Sequence, residues 1–568
     1  MGRGIKMKIL LIHSDFIEFE ARQKAIKQAE EWKKGEKTRV EECLVVFTAV
    51  EKRDEGNIGQ TAKNMVDEVE KVAKEVKAKK IVFYPYAHLS KDLSSPATAL
   101  EALRKAEEIA KERGLESFHA PFGWYKAFEI KAKGHPLSEL SREITAEGAA
   151  PSATKKKGGA QPTQAAEAKE LSENDHRLLG KKLDLYSFHD VAPGMAFFHP
   201  KGMIIRNELM AFWRAEHTKR GYLEINTPLI MNKSLWQTSG HWDHYKENMF
   251  FTTIDDVEFA VKPMNCPGAI TVFNSGTRSY RDLPLKLAEL GQVHRNELSG
   301  VLSGLFRLRY FTQDDSHIFV REDQLEREIM NVVGIIEYFY GVFGFEYHVE
   351  LSTRPDNSIG SKEIWDRAEK ALEGALKAKN MKYKVNPKDG AFYGPKIDFH
   401  IKDSLGRTWQ CATCQVDFMM PERFDVNYIG EDNKPHRPVI IHRVIYGAIE
   451  RFIGILVEHY KGAFPLWLSP VQVRVLALTD NNNAAVEKAV NMLKEHGIRT
   501  DTDTRPSTVE YRVREAELQK IPYIIVIGEK EEQSGALAVR TRGAGKVQFG
   551  VKPDAFAAKI KEEIMKKA

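Results

Sequence analysis

The chain has 568 residues but only four cysteines. So few thiols cannot build the disulfide framework of a secreted scaffold, and a reducing compartment is the default. Long apolar runs are also missing. The run at 9–12 is far too short for a signal peptide or a membrane span. Charge of one sign is nearly balanced, at a formal +5, so nucleic-acid contact would have to come from local basic patches rather than a global field. Residues 145–170 contain no aromatic residue and no Val, Ile, Leu or Met. Such a stretch cannot bury enough apolar surface to offset its ordering entropy, and a flexible linker is expected there. With 42% hydrophobic and 29% charged residues, the whole reads as a globular chain long enough for three or four domains.

Before the linker, strand-like runs at 8–13, 40–50 and 80–86 alternate with helical runs at 57–79 and 96–113, and a β-like stretch at 117–130 closes the unit. This pattern predicts a compact α/β domain over 1–144. From 171 to 470, strand candidates (398–401, 408–418, 438–441) mix with helical runs (203–220, 321–343, 448–460). From 471 to 568 a small α/β pattern returns, with strands at 471–478, 498–502 and 523–527 and helices at 483–496, 508–520 and 553–566. No solenoid-type repeat interrupts it.

Cys266 lies in Lys-Pro-Met-Asn-Cys-Pro-Gly (262–268), His317 ends Phe-Thr-Gln-Asp-Asp-Ser-His (311–317) and His442 lies in Ile-His-Arg (441–443), and each segment reads as built around a reactive pocket. One thiolate and two imidazoles make a soft N/S ligand set that suits zinc, and three protein ligands leave a coordination position open for substrate. Their spacings of 51 and 125 residues are not a zinc-finger pattern. On chemistry and spacing alone, a small buried thiol and two core or surface histidines are the favoured reading, since most Cys and His residues are not ligands. Cys411 and Cys414 form a Cys-x-x-Cys inside the strand-like run 408–418, where residues three apart face opposite sides, so both are expected to be packing residues.

The text around those three residues narrows the choice. Gln-Val-His-Arg-Asn-Glu (292–297) and Arg-Leu-Arg-Tyr-Phe-Thr-Gln-Asp-Asp (307–315) resemble motif 2 of the class II aminoacyl-tRNA synthetases. Gly-Ala-Ile-Glu-Arg-Phe-Ile-Gly-Ile-Leu (447–456) resembles their motif 3, and Arg-Gly-Tyr-Leu-Glu-Ile-Asn-Thr-Pro (220–228) their motif 1. Together with Gly-His-Trp-Asp-His-Tyr (240–245) and Ala-Phe-Tyr-Gly-Pro-Lys-Ile-Asp (391–398), the stretch from about 171 to the C-terminus resembles the threonyl-tRNA synthetases. The resemblance implies an antiparallel-sheet catalytic core over 171–470 and an α/β anticodon-binding domain over 471–568. It implies activation of L-threonine by ATP with Mg2+, transfer to tRNA-Thr, one Zn2+ per chain, a homodimer built around motif 1 and its terminal Pro228, and a cytoplasmic enzyme with no membrane partner. Carried over residue by residue, Arg295, Arg307 and Arg451 bind ATP, Lys396 lies near the phosphates and His241 serves transfer to the ribose. Arg295, Arg451, His241 and Lys396 form the implied catalytic set. Met264, Gln313, Asp315, Tyr393 and Gln415 form the threonine pocket, and Cys266, His317 and His442 hold the zinc. Glu531 and Arg540 read anticodon bases. Two departures stand out: Ala269 replaces a usual histidine, and Pro506 replaces the asparagine of bacterial relatives.

Serine differs from threonine by one methyl, worth only ~1–3 kcal/mol of discrimination, so a second, hydrolytic site is expected. The N-terminal domain resembles the editing domain of archaeal-type threonyl-tRNA synthetases, which is itself similar to D-aminoacyl-tRNA deacylases. The resemblance rests on Tyr-Pro-Tyr-Ala-His-Leu-Ser (84–90), Gly-Trp-Tyr-Lys-Ala-Phe (123–128) and Gly-His-Pro-Leu-Ser-Glu (134–139). It implies an editing pocket of His88, Tyr125, Lys126 and Glu139, in which water and the ribose 2′-hydroxyl do the hydrolysis.

Overall fold

The computed structural model describes residues 7–26, 28–52, 57–90, 92–133, 138–145, 148–151, 172–403 and 406–567. The chain divides into two compact units, Met1–Lys169 and Glu170–Ala568.

The first unit is built on one long strand, Met7–Lys24, in which buried and less buried residues alternate from Met7 to His13 and again from Ile17 to Ala21, on either side of an irregular step at 14–16. Its first half pairs with Glu139–Thr145 and its second half with Trp124–Ala132, while Lys37–Ala49 runs antiparallel along its other edge. Lys80–Pro85 and Glu116–His119 extend the sheet in parallel. Helices Ile58–Val76 and Pro96–Glu112 supply the apolar cover, with Met65, Val66, Val69, Ala102 and Ala106 packed against Ile9, Leu11, Leu44 and Val46. A second cluster gathers Ile17, Phe19, Val45, Phe47 and Tyr84.

Two expectations change here. The strand expected at 8–13 runs on to Lys24, because period-2 burial continues through Ile17, Phe19 and Ala21 with charged residues between them. The single stretch expected at 117–130 is two strands parted by a turn at Gly123. There φ is +79° and a Cβ would lie 2.8 Å from the Ala29 Cα, so the turn requires glycine. Of the segment expected as a linker, Gly148–Pro151 pairs as a strand with Glu139–Thr145, and 146–147 and 152–170 lie outside the described residues.

The second unit holds an eight-stranded sheet in the order Leu223–Glu224, Leu285–His294, Tyr310–Val320, Val439–Val444, Thr408–Asp417, Lys396–Lys402, Tyr347–Ser352, Tyr383–Asn386. Its inner pairs are antiparallel and its two outermost pairs parallel. Residues directly opposite on neighbouring strands share a face. Register therefore places Asp315, His317, His442, Gln415, Lys396 and Ser352 on one face. The helices Pro200–Lys219, Leu325–Phe343 and Ile449–His459 contribute their apolar residues to the unit's largest core cluster, with Leu209, Trp213, Ile336, Phe339 and Phe452 wholly or almost wholly buried. After Pro470 comes a five-stranded sheet ordered Thr500–Thr502, Val473–Ala477, Tyr523–Ile527, Leu537–Thr541, Val547–Val551, packed on Asn483–Glu495 and Pro553–Met565. Among the described residues no helix is long and apolar enough to cross a membrane.

Candidate active site

His317 and His442 are direct cross-strand partners, with ring centroids 4.9 Å apart. Cys266 reaches them as the first residue of the helix Cys266–Asn274. All three are buried, and one ligand atom from each lies within 4.8 Å of the others. His317 Nε2 and His442 Nδ1 are buried atoms without a hydrogen-bond partner. Buried polar atoms are seldom left so, and two lone-pair donors beside a thiol fit a soft cation. His442 is oriented by its other nitrogen: Nε2 meets Asp417 Oδ2 at 2.8 Å, and Asp417 Oδ1 accepts the N–H groups of Met419 and Met420 at 2.7 and 2.9 Å. A carboxylate behind a ligating imidazole is the usual outer support of a zinc site. Burial pushes the Cys266 thiol above its ordinary value, and a divalent ion at the centre would reverse that.

Beside this cluster lies a cavity of about 170 Å³ lined by Met264, Cys266, Arg295, Gln313, Asp315, Tyr393, Thr413, Gln415 and His442. All five residues expected for threonine are in it. Asn265 Nδ2 donates to Asp315 Oδ2 at 3.1 Å. Gly291 leaves room for Asn265, since a Cβ there would lie 2.3 Å from its Oδ1. Gln415 Nε2 donates to the Gly394 carbonyl at 2.9 Å. His241 touches the wall through Met264, Nε2 to Sδ 2.9 Å, and Nδ1 meets Ser239 Oγ at 2.8 Å. Burial, then Arg295, depresses His241 to about 3, so its ring is neutral at physiological pH.

A second cavity of about 210 Å³ shares Arg295, Gln313, Thr413 and Val444 with the first and adds, among others, Glu297, Phe306, Arg307, Gln410, Gly447 and Arg451. Its three arginines bring like charges together. Burial, and then Arg295 and Arg307, hold Arg451 below its ordinary value. Such a pocket attracts a polyanion. Arg451 Nε donates to the Phe306 carbonyl at 2.9 Å and Arg307 Nε to Glu297 Oε2 at 3.0 Å.

Lys396 lines neither cavity; it is ion-paired with Asp398. It is, however, the cross-strand partner of Gln415. Cys411 and Cys414 are buried in the main core, and neither is in a ligand-grade cluster among the described residues. Sequence reasoning missed Asp417 and Asp314. Asp417 lies two residues from Gln415 on one strand, so period-2 spacing could have placed it. Asp314 accepts the N–H groups of Ile445 and Gly447 at 3.0 and 2.9 Å, fixing the turn before the Arg451 helix, and burial raises it to about 7. Nothing local distinguished it from Asp315.

In the first unit a cavity of about 350 Å³ is lined by Thr48, Tyr84, Tyr86, Ala87, Trp124, Tyr125, Lys126 and Phe128, among others. Lys126 Nζ donates to the Pro121 and Trp124 carbonyls at 2.9 and 3.2 Å, and burial lowers it to about 8. Glu139 is exposed and does not line this cavity. The His88 side chain and residues 134–137 lie outside the described residues. In the C-terminal domain, Arg540 pairs with Glu517 at 3.2 Å, while Glu531 Oε2 accepts the Gly528 N–H at 3.1 Å. Pro506 is exposed.

Three stretches of the chain match known families. Residues 7–144 match the model of the Archaea-specific editing domain of threonyl-tRNA synthetase, 250–460 the class II tRNA synthetase core domain (G, H, P, S and T), and 472–563 the anticodon binding domain. A solved structure, described as the RNA binding domain of threonyl-tRNA synthetase from Cryptosporidium parvum Iowa II, is 40% identical with a TM-score of 0.67, covering 68% of this chain and 98% of that one. The chain belongs to the threonyl-tRNA synthetase family. Threonine--tRNA ligases of Caldanaerobacter subterraneus subsp. tengcongensis and Desulforamulus reducens are 59% and 58% identical over 399 and 398 residues. These alignments cover 70% of this chain and 62% of each relative, so the chain spans under two thirds of their length.

Proposed function

We propose that the chain is a threonine--tRNA ligase that activates L-threonine with Mg2+-ATP, transfers it to tRNA-Thr and clears mischarged seryl-tRNA-Thr with its N-terminal unit. The observation that carries this reading is the junction of two cavities at Arg295, one beside the Cys266–His317–His442 cluster and the other lined by three arginines. Threonine would occupy the first and ATP the second. The threonine carboxylate then attacks the α-phosphorus and pyrophosphate leaves, and the Arg295 and Arg451 guanidiniums offset the charge that builds on the phosphate oxygens. In the second step a ribose hydroxyl of the terminal adenosine attacks the carbonyl carbon and AMP leaves, and His241, neutral and behind Met264, would pass the hydroxyl proton on rather than keep it.

The donor set fits one Zn2+, which when bound would supply a Lewis acid for the amino and hydroxyl groups of the substrate. Asp315 and Gln415 face the same pocket and lose a hydroxyl partner with valine, which an apolar pocket alone would not reject. Serine keeps that hydroxyl. The 350 Å³ cavity of the first unit, with Lys126 at its wall, is then the hydrolytic site, where a half-buried ammonium would stabilise a developing oxyanion. We further assign subunit pairing to the motif 1 region, where Leu223, Leu229 and Ile230 are exposed beside Pro228. Anticodon reading falls to the C-terminal domain, including Glu531 and Arg540, and the setting is the cytoplasm, where four free thiols stay reduced.

ATP–pyrophosphate exchange tests the central claim. Threonine should support it, serine measurably and valine scarcely. No exchange with threonine would reduce the chain to an RNA-binding relative. Preformed seryl-tRNA-Thr should be hydrolysed by the full chain and spared by Lys126→Met; survival of the ester with the unaltered chain would make the first unit a docking module.

A further inference from the structure

A second three-ligand set lies on the same face of the eight-stranded sheet, towards its other edge. His348 and Glu350 alternate on the strand Tyr347–Ser352, and His400 stands directly opposite His348 on Lys396–Lys402. The two rings stack with centroids 4.8 Å apart at 10°. Glu350 reaches both, with Oε1 3.5 Å from His348 Nε2 and Oε2 3.7 Å from His400 Nε2. One ligand atom from each residue falls within 4.8 Å of the other two.

These separations are long for good hydrogen bonds. They are close to the spacing of two ligands on one tetrahedral ion, roughly 3.4 Å for bonds of about 2.0–2.2 Å. Asn386 Nδ2 donates to Glu350 Oε2 at 3.0 Å, which aims the carboxylate as an outer partner would. The His348, Glu350 and His400 side chains are 47%, 15% and 20% exposed, so an ion here would complete its shell with water.

We propose that His348, Glu350 and His400 form a second site for a divalent transition-metal ion, separate from the Cys266 cluster. Two imidazoles and one carboxylate suit Zn2+, Co2+, Ni2+ or Cu2+ and not Mg2+ or Ca2+, which take mostly oxygen ligands. A bound ion clamps the strand 347–352 to the strand 396–402, two residues from Asp398, the partner of Lys396.

The test uses Co2+ titrated into the full chain, with stoichiometry, near-ultraviolet thiolate-to-cobalt absorption and thermal stability as readouts. The unaltered chain should take two ions, only one of them with a thiolate band. His348→Ala/His400→Ala should take one ion, keep the thiolate band and lose the part of the thermal shift due to the second ion. Glu350→Gln, which preserves shape, should weaken the second ion strongly, and Asn386→Ala should weaken it roughly tenfold or more. A single ion without a thiolate band, lost in the double variant, would support this site and count against the Cys266 reading instead. A single ion with the thiolate band in the unaltered chain, or a second ion held unchanged by the histidine double variant and by Glu350→Gln, would overturn the proposal.

Discussion

Two buried triads in the second unit use similar residue types and differ in where their hydrogen bonds go. Asp175, His176 and Glu458 also bring ligand atoms within 4.8 Å. There, His176 Nδ1 meets Glu458 Oε1 at 2.8 Å and Nε2 accepts the Leu305 N–H at 3.1 Å, while Asp175 is held by Arg177 and Glu458 by Arg407. Both ring nitrogens are used, so the triad is a strut: it ties the start of the unit to the loop of Phe306 and the helix of Arg451. At Cys266, His317 and His442, one nitrogen of each imidazole is left without a partner at the buried centre. Composition and burial do not separate a ligand set from a structural network; unspent lone pairs do.

The sharpest break of that comparison is Cys266→Ser. The ion at the Cys266 cluster, read by its thiolate band with Co2+, should be lost and threonine-dependent exchange should fall by at least about a hundredfold, as for loss of a directly acting group. Full activity, or active protein without zinc by elemental analysis, would dissolve the distinction. Asp417→Asn comes next. It weakens only the orientation of His442, so metal affinity measured by competition with a chelator should drop about 10–100-fold while the fold persists. His176→Ala should leave metal content untouched and instead cost about 2–4 kcal/mol of stability in denaturant unfolding, since it removes the ring contact to Glu458 and leaves the Leu305 N–H unpaired beside a void. Because Phe306 packs on His176, ring centroids 4.0 Å apart, and lines the arginine cavity, KM for ATP should rise more than KM for threonine.

Lys126 is a third case, a half-buried cation held by two carbonyls and lying 5.0 Å from the centre of the Tyr84 ring. Its folded value, about 8 against an ordinary 10.5, means that the unfolded chain binds the proton more tightly. The cost is therefore full below about 8 and is relieved as pH rises from there toward 10.5. Melting of the first unit should shift upward across that window, and Lys126→Met should abolish the shift. The smallest effect is expected from Cys411→Ala/Cys414→Ala, which should keep the full metal content and cost about 1–2 kcal/mol through lost packing; a fall in zinc would show that the wrong thiols had been chosen.

Helix positions were legible because apolar spacing is local: the expected helices at 57–79, 96–113 and 483–496 are Ile58–Val76, Pro96–Glu112 and Asn483–Glu495. Strand lengths were less so. The run to Lys24 reads as polar text because its buried residues alternate with charged ones. The candidate site was legible where its residues share a short motif, as Met264 with Cys266 or Gln313 with Asp315 and His317. Its supports were not. Asp417 to His442, Asn265 to Gly291 and Asp314 to Gly447 are pairs made by strand register and packing across 25 to 133 residues of chain.

By itself, then, the sequence determined which chemistry the chain carries, since motif residues keep their identity whatever their neighbours do. Only the tertiary structure decided which lone pairs stay unspent, that Lys396 answers to Asp398, and that His348 and His400 stack across two strands, because each depends on which side chains the sheet register brings within a hydrogen bond of one another.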